Sequence, residues 1–291
     1  MTTPLSELES ELVGGLPFSA PPKWMSMLDR VRRKFGYRIT LGAFICNKVL
    51  KHVPPTYDTE VVPGIFARLD FRQNVARFTW WSGRRYEAPT PQVIVNWLAD
   101  AEKFFDVGAN CGWFSYLALS SSKAEVHAFE PIPSLIEQMR ATKSVNGLDR
   151  FHLHQMGVGD ANEELRFHLI ADETSYSTFG PHPDFVADPG VAVPVVTFDQ
   201  WCEEEGLALP DRPSWVLKID TEGFEAKALR GMKKALTAHA FLGIAIEMNA
   251  FCLEFCGSSI AEVEQLLNDA GYVNEPQRRK GNSLNQFFVP Q

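Results

Sequence analysis

The chain has 291 residues, 45% of them hydrophobic and 22% charged, enough to bury a core without disulfides or a structural metal. Its formal charge of −8 argues against broad nucleic-acid binding, which needs an electropositive footprint. Five cysteines, at 46, 111, 202, 252 and 256, form no Cys-x-x-Cys unit and fit a reducing cytoplasm better than a secreted disulfide scaffold.

The opening residues are acidic and lack the basic start and apolar run of a signal peptide. The apolar stretch 39–50 carries Asn47 and Lys48 and is too short to span a bilayer, so no transmembrane segment is expected. Residues 1–22, ending in Pro21-Pro22, read as a flexible N-terminus. Next, Trp24, Met27, Leu28, Val31 and Phe35 recur at helical spacing, with Arg30, Arg32, Arg33 and Lys34 on the other faces, which predicts a basic amphipathic helix. Alternation over 65–71 and 75–80, before a turn at Ser82-Gly83, predicts a β-hairpin. Residues 23–95 are thus expected to form a cap of basic helix plus β-hairpin. Between residues 23 and 87 there are thirteen Lys and Arg against five Asp and Glu. Such a basic layer either packs on the acidic remainder or docks an acidic partner, such as a carrier protein, or an anionic membrane face.

Over residues 96–291 short apolar strands alternate with amphipathic helices. Strands are expected at 103–107, 125–129, 151–156, 215–219 and 241–247, and helices at segments such as 134–146 and 222–236. This rhythm specifies an α/β fold with a doubly wound, mostly parallel sheet. An extra strand pair, 164–170 and 191–197, flanks a long loop, 173–189, of the kind that carries function. A helix over 260–270 is capped by Ser258 or Ser259, with Glu262 at capping-box spacing. Two final strands are expected around 272–274 and 286–289.

The first strand of this domain runs into Gly108-Ala109-Asn110-Cys111-Gly112 and then a helix. The crevice at the carboxyl end of such a strand is where nucleotide-like ligands bind. Glycine permits close backbone approach, and the helix start offers free N–H groups. Asp106 adds negative charge where a cofactor's ammonium would sit. A dinucleotide fingerprint would put glycine at 110 and 113, where this chain has Asn110 and Trp113. The second strand ends at Glu130, whose carboxylate can accept from both ribose hydroxyls, and the third ends at Gly157-Val158-Gly159-Asp160, where an adenine edge would be lined. At the fourth strand end Lys218 and Asp220 share a face by the two-residue period, and the buried lysine needs an acidic partner. Glu222 and Glu225 follow at the helix start. Catalytic candidates are Asp220 as general base, with Glu222 beside it and His182, in the long loop, as the second candidate base. Asp220, Glu222, Glu247 and Asn249 would also suit a hard divalent cation, but without defined ligand spacing no metal is expected. Cys252 and Cys256, at i, i+4, read as buried thiols.

Taken in order, Asp106-Val107-Gly108-Ala109-Asn110-x-Gly112, Phe129-Glu130-Pro131, Asn146-x-Leu148, Val158-Gly159-Asp160 and Lys218-Ile219-Asp220-x-Glu222-Gly223-x-Glu225 resemble the FkbM-type methyltransferase family. Gly83-x-x-Tyr86-Glu87 and Glu247 match its pattern too. The resemblance spans roughly residues 62–291. It implies a seven-stranded Rossmann-like domain with S-adenosylmethionine as donor, bound by Asp106, Gly108, Ala109, Asn110, Gly112, Glu130, Pro131, Gly157, Val158 and Tyr86. It also implies O-methylation of a small-molecule hydroxyl on a natural product, sugar or lipid. A nicotinamide-dependent oxidoreductase and a non-catalytic nucleoside-binding module are the alternatives. Oligomeric state is not legible.

Overall fold

The computed structural model describes Met27 and residues 56–167, 191–275 and 284–291. The flexible segment expected at 1–22, the basic helix expected around residues 24–35 (Met27 apart) and the loop 173–189 with His182 lie outside the described residues.

Strands β1 (Thr56–Val62) and β2 (Ile65–Asp70) pair antiparallel through a turn at Pro63-Gly64, where Gly64 takes φ 82°. A hairpin therefore forms, but not from the expected pair: residues 75–80 belong to helix α1 (Asn74–Ser82). A six-residue alternation satisfies either period. Burial decides it: Ala76, Thr79 and Trp80 are buried at helical i, i+3, i+4 spacing, Trp80 sits 5.7 Å from Phe71, and the Thr79 hydroxyl donates back to the Val75 carbonyl at 2.8 Å. A short 3₁₀ turn (Gly83–Arg85) and helix α2 (Thr90–Leu98) lead into the main domain.

That domain runs β3 (Lys103–Val107), α3 (Trp113–Ser121), β4 (Glu125–Phe129), α4 (Pro133–Asn146), β5 (Phe151–His154), β6 (Gly157–Val158), β7 (Glu163–Phe167), β8 (Val191–Val196), α5 (Phe198–Glu204), β9 (Trp215–Ile219), α6 (Glu225–Arg230), α7 (Lys233–Thr237), β10 (Phe241–Glu247), α8 (Ala250–Phe255), α9 (Ile260–Asp269), β11 (Tyr272–Asn274) and β12 (Asn285–Pro290). Seven strands form the main sheet in the order β11-β12-β10-β9-β3-β4-β5. All pairs from β10 to β5 are parallel, and β12 runs antiparallel between β10 and β11. The strand order reverses beside β3, so the crevice beyond the carboxyl ends of β3 and β9 is where a ligand is expected in such a sheet.

Alternate residues feed two cores. Phe104, Val126 and Val216 face the hairpin side with α1 to α4, while Phe105, Val107, Leu217 and Ile219 face α5 to α7 and α9. The hairpin is tied to α4 by Asn146, whose side chain accepts from Phe66 N at 2.9 Å and donates to Phe66 O at 2.6 Å, as a neighbouring strand would.

The expected pair 164–170 and 191–197 exists as β7 and β8, and together with β6 it makes a separate three-stranded sheet with β8 central. The single helix expected over 222–236 divides into α6 and α7. A Cβ on Gly231 would stand 1.9 Å from the Gly159 carbonyl oxygen, and the Asp199 carboxylate accepts from the N–H groups of Lys234 and Ala235 in the first turn of α7. The break is therefore where the helix backbone presses on the β6 loop and a new cap begins. Helix α9 is capped as expected, Ser259 Oγ accepting from Glu262 N at 3.2 Å.

Candidate active site

An open cleft of about 300 Å³ lies over the carboxyl ends of β3, β4 and β9. Gly108, Ala109 and Asn110 line it from the β3 loop, Glu130 and Pro131 from the end of β4, and Gly157 and Val158 from β6. Tyr86, Asp220 and Glu222 complete the expected residues found there.

The β3 loop is shaped by its own sequence. Gly108 takes φ 79°, and a Cβ there would stand 1.9 Å from the backbone oxygen of Asp220. Glycine at 108 thus lets the ends of β3 and β9 close on each other. Asn110 adopts φ 51°, a left-handed conformation that asparagine tolerates better than most residues, and its Oδ1 accepts from Cys111 N at 2.8 Å. Glu130 joins two loops, one oxygen accepting from Asn110 N at 2.8 Å and the other from Ile132 N at 2.9 Å. Burial raises its carboxyl to about 7 despite those two donors. Each oxygen keeps a lone pair for a ligand hydroxyl.

Two expected donor-binding residues are placed beneath the cleft rather than on it. Asp106 is 0% exposed. One of its oxygens accepts from Ser115 Oγ at 2.7 Å and the other is buried without a hydrogen-bond partner. Gly112 is in the left-handed region, φ 80°, at the start of α3, and a Cβ there would meet Met139 Sδ at 2.8 Å and the Tyr116 ring at 3.0 Å. Its role is to pack α3 against α4, so a bulky side chain would crowd the core rather than the donor.

At the β9 end the expected face-sharing holds. Lys218 Nζ donates to Asp220 Oδ2 at 2.9 Å, with side chains 2% and 19% exposed, and Ile219 belongs to the opposite core. The ammonium also lies 4.7 Å from the centre of the Phe114 ring, a favourable cation–π placement. Burial works to lower its pKa, but the carboxylates of Asp220, Asp106 and Glu87 outweigh it and leave it raised.

Three further carboxyls converge here, Glu87, Glu222 and Glu247. All three have raised pKa values: Glu87 by burial and then the charge of Asp220, Glu222 by burial and then Asp220 and Glu225, Glu247 first by Asp220, to which it is hydrogen-bonded, and then by burial. Glu87 and Glu222 both adopt positive φ, 49° and 51°, although neither is glycine or asparagine. Such strain concentrates at functional sites. Glu225 is a scaffold instead: its Oε1 accepts from Thr221 N, Thr221 Oγ1 and Gly223 N, fixing the turn that carries Glu222.

Cys252 and Cys256 are half-buried rather than buried. Their thiols reach Glu222, Cys252 Sγ to Oε2 at 3.5 Å and Cys256 Sγ to the backbone oxygen at 3.9 Å. Among the described residues no group of His, Cys, Asp and Glu is arranged to hold a metal ion. Sequence reasoning missed the apolar lining from Phe114, Phe129, Ile132, Met156 and Phe167. Hydrophobic residues at or just beyond strand ends, such as Phe129, Ile132, Met156 and Phe167, were the available signal.

A family model described as "Methyltransferase FkbM domain" matches residues 106–273. The hexuronic acid methyltransferase AglP of Haloferax volcanii is 24% identical over 196 residues, 66% of this chain and 72% of its own. The 2-O-methyltransferase NoeI of Sinorhizobium fredii is 28% identical over 151 residues, 47% of this chain and 60% of its own. Among solved structures, methyltransferase FkbM from Methylobacillus flagellatus KT is 16% identical with a TM-score of 0.42, covering 75% of this chain and 65% of that one. A SAM-dependent methyltransferase from Agrobacterium tumefaciens is 12% identical with a TM-score of 0.45, covering 82% and 71%.

Proposed function

The chain belongs to the FkbM methyltransferase family and takes S-adenosylmethionine as its donor, and on that premise we propose that it methylates a hydroxyl group of a sugar. The observation that carries this reading is the convergence of Glu87, Glu130, Asp220, Glu222 and Glu247 on one cleft. Carboxyl groups are the side chains best suited to accept hydrogen bonds from several hydroxyls at once. The name of one relative, a hexuronic acid methyltransferase, supports a sugar acceptor, and that of the other, a 2-O-methyltransferase, supports transfer to oxygen.

The residues present fit the donor. Glu130 offers a buried carboxyl for a ribose diol, and Phe129, Met156 and Val158 give the neighbouring wall an apolar surface suited to adenine. When bound, S-adenosylmethionine supplies an electrophilic methyl group on a positively charged sulfur. Asp106, beneath the loop, acts through Ser115 and the loop backbone rather than by direct contact.

We assign Asp220 as the general base that takes the acceptor hydroxyl's proton. It is the carboxyl at the β9 end that reaches the cleft, and its bond to Lys218 fixes its orientation. Proton removal by a positioned carboxylate contributes about 10²–10⁴-fold. Glu222 and Glu247, held towards their protonated forms, hold acceptor hydroxyls by donating as well as accepting. His182 lies outside the described residues and is the alternative base. The described cysteines are free thiols, which supports a reducing compartment, and we place the enzyme in the cytoplasm. No helix among the described residues is long and apolar enough to cross a membrane.

The test is incubation of the purified chain with radiolabelled S-adenosylmethionine and a panel of pyranosides, with products read by mass spectrometry for one added methyl group. Transfer to a sugar hydroxyl supports the proposal. Transfer confined to non-carbohydrate hydroxyls would replace it.

A further inference from the structure

One rim of the cleft is apolar and exposed, a feature that transfer to a sugar hydroxyl does not itself require. Leu284, 46% exposed, lines the cleft, and its carbonyl oxygen accepts from Met248 N at 3.0 Å. Asn249, the next residue, also lines the cleft and caps α8, its Oδ1 accepting from Phe251 N at 3.2 Å. Phe251 is 60% exposed and stacks on half-buried Phe255, with ring centres 5.9 Å apart and planes inclined by 21°. Successive residues turn by about 100° around a helix, so α8 carries two neighbouring stripes. Cys252 and Cys256 form one, and their thiols reach Glu222 on the cleft wall. Phe251 and Phe255 form the other, one side chain further round, while Leu253 anchors the helix in the core.

We propose that this rim is a subsite for an apolar group joined to the acceptor sugar, an aromatic or alkyl aglycone that lies along Phe251 and Leu284 while the sugar hydroxyl faces Asp220. The inference rests on the sugar-acceptor reading above and adds a second part to the substrate. A single exposed apolar side chain is ordinary on a protein surface. Phe251 and Leu284 differ in flanking the mouth of one cleft, joined through Met248 and Asn249. The chemistry divides along the same line. Inside the cleft, carboxyl groups bond hydroxyls. At the rim, the side chains of Phe251, Phe255 and Leu284 hold only carbon and hydrogen, so they gain by covering apolar surface and offer a second hydroxyl-bearing ring no bond. Stacking on Phe255 leaves the Phe251 ring less rotamer freedom to lose on contact. A contact remote from the reacting oxygen binds ground state and transition state alike, so it lowers KM and leaves kcat where it was.

The experiment compares the methyl, hexyl and phenyl glycosides of each pyranose in the panel above, with the full chain and radiolabelled S-adenosylmethionine. The expected result is a KM about tenfold lower for the hexyl or phenyl glycoside than for the methyl glycoside, at similar kcat. A lower KM for phenyl alone assigns the rim to an aromatic group, and for both to any apolar group. Phe251→Ser should bring the KM values together. Leu284→Ser should narrow the same gap and is the second variant if the first does not fold by thermal shift. Val145→Ser, which removes a 51% exposed apolar side chain from α4, should leave the gap as it was. Equal KM values in the unaltered chain, or a preference that survives both rim substitutions, overturn the subsite and leave the sugar reading standing. Silence on every glycoside by a chain that is stabilised by S-adenosylhomocysteine overturns the sugar reading and this inference with it.

Discussion

Two groups of buried or half-buried titratable side chains stand out among the described residues, and they differ in almost every respect that matters for chemistry. On β4 and β5 three imidazoles stack, His127 on His152 at 4.7 Å and on His154 at 5.4 Å, against the edge of Trp201. They sit on regular strands outside the cleft, with His127 Nδ1 and His154 Nε2 3.2 Å apart. The carboxyls Glu87, Asp220, Glu222 and Glu247 instead line an open cleft, two of them in left-handed backbone, around one buried lysine. In both groups burial favours the neutral form: it lowers His127 to about 3 and His154 to about 4 and raises the glutamates. A perturbed pKa therefore does not by itself mark a site. Cleft, strain and an opposing charge distinguish the acidic group; the imidazoles are the filling of an aromatic layer.

The strongest test of that contrast is Asp220→Asn. It keeps size and much of the hydrogen bonding to Lys218, and turnover should fall by about two to four orders of magnitude, with affinity for S-adenosylhomocysteine by calorimetry nearly unchanged. Near-normal turnover would move the base to His182 and dissolve the distinction drawn here.

The two groups should also pull stability in opposite directions with pH. The folded histidines have pKa values below the ordinary 6.5, so the unfolded chain binds more protons, and stability present above pH 6.5 is lost as pH falls towards 4. Fully developed, the loss is on the order of 3 kcal/mol for His154 and, continuing to about pH 3, somewhat more for His127. His127→Phe should flatten that acid limb in a series of thermal melts, with activity at pH 7.5 retained. Glu130 behaves with the other sign: its folded value of about 7 lies above the ordinary 4.5, so the stability it confers is complete below pH 4.5 and is lost as pH rises through 7. An acid limb unchanged in His127→Phe would mean that the imidazoles titrate normally.

Glu130→Ala should weaken S-adenosylhomocysteine binding by about 1.5–3 kcal/mol, the range for hydrogen bonds to a charged group. Because Glu130 also ties the β3 and β4 loops together, the companion Glu130→Gln separates lost ligand contacts from a loosened loop. Unchanged affinity in a folded Glu130→Ala protein would remove this residue from the donor site. A smaller effect, of opposite sign for stability, is expected from Glu222→Asn. Asparagine tolerates φ 51° and is uncharged, so melting should shift to higher temperature by about 1 kcal/mol of stability while acceptor kcat/KM falls. The same substitution at a regular strand residue such as His152 should stabilise nothing. The smallest expected effect is that of EDTA. The acidic group is read as a hydroxyl-binding lining, so turnover should be unchanged by the chelator, and activity restored by magnesium would reassign it as a cation site.

The central strands were legible because β3, β4, β9 and β10 are short, mostly apolar runs buried on both faces, each bounded by a turn. The donor loop was legible because its glycines and Glu130 stand at strand ends. What could not be read was anything decided across the sheet. Residues 75–80 satisfy two periods, and only the contact of Trp80 with Phe71 selects the helix. Asp106 and Gly112 sit in a ligand-binding motif yet face α3 and α4. Glu87 showed only as a family feature and Glu247 only as that and as a possible cation ligand; their meeting depends on strand order and on Asn285, whose Nδ2 donates to Glu87 Oε2 at 3.2 Å across 198 positions of sequence.

That last link bears on the order in which the enzyme comes into being. β12 is made after every other described strand but lies inside the sheet, between β10 and β11, with Phe287 and Phe288 buried in opposite cores. A ribosome that has released everything through β11 has therefore produced a donor loop but not a finished acceptor wall. Glu87 still lacks Asn285, and β10 still presents an open edge to whatever strand is nearby. One late strand therefore both covers that edge and brings Glu87 its partner.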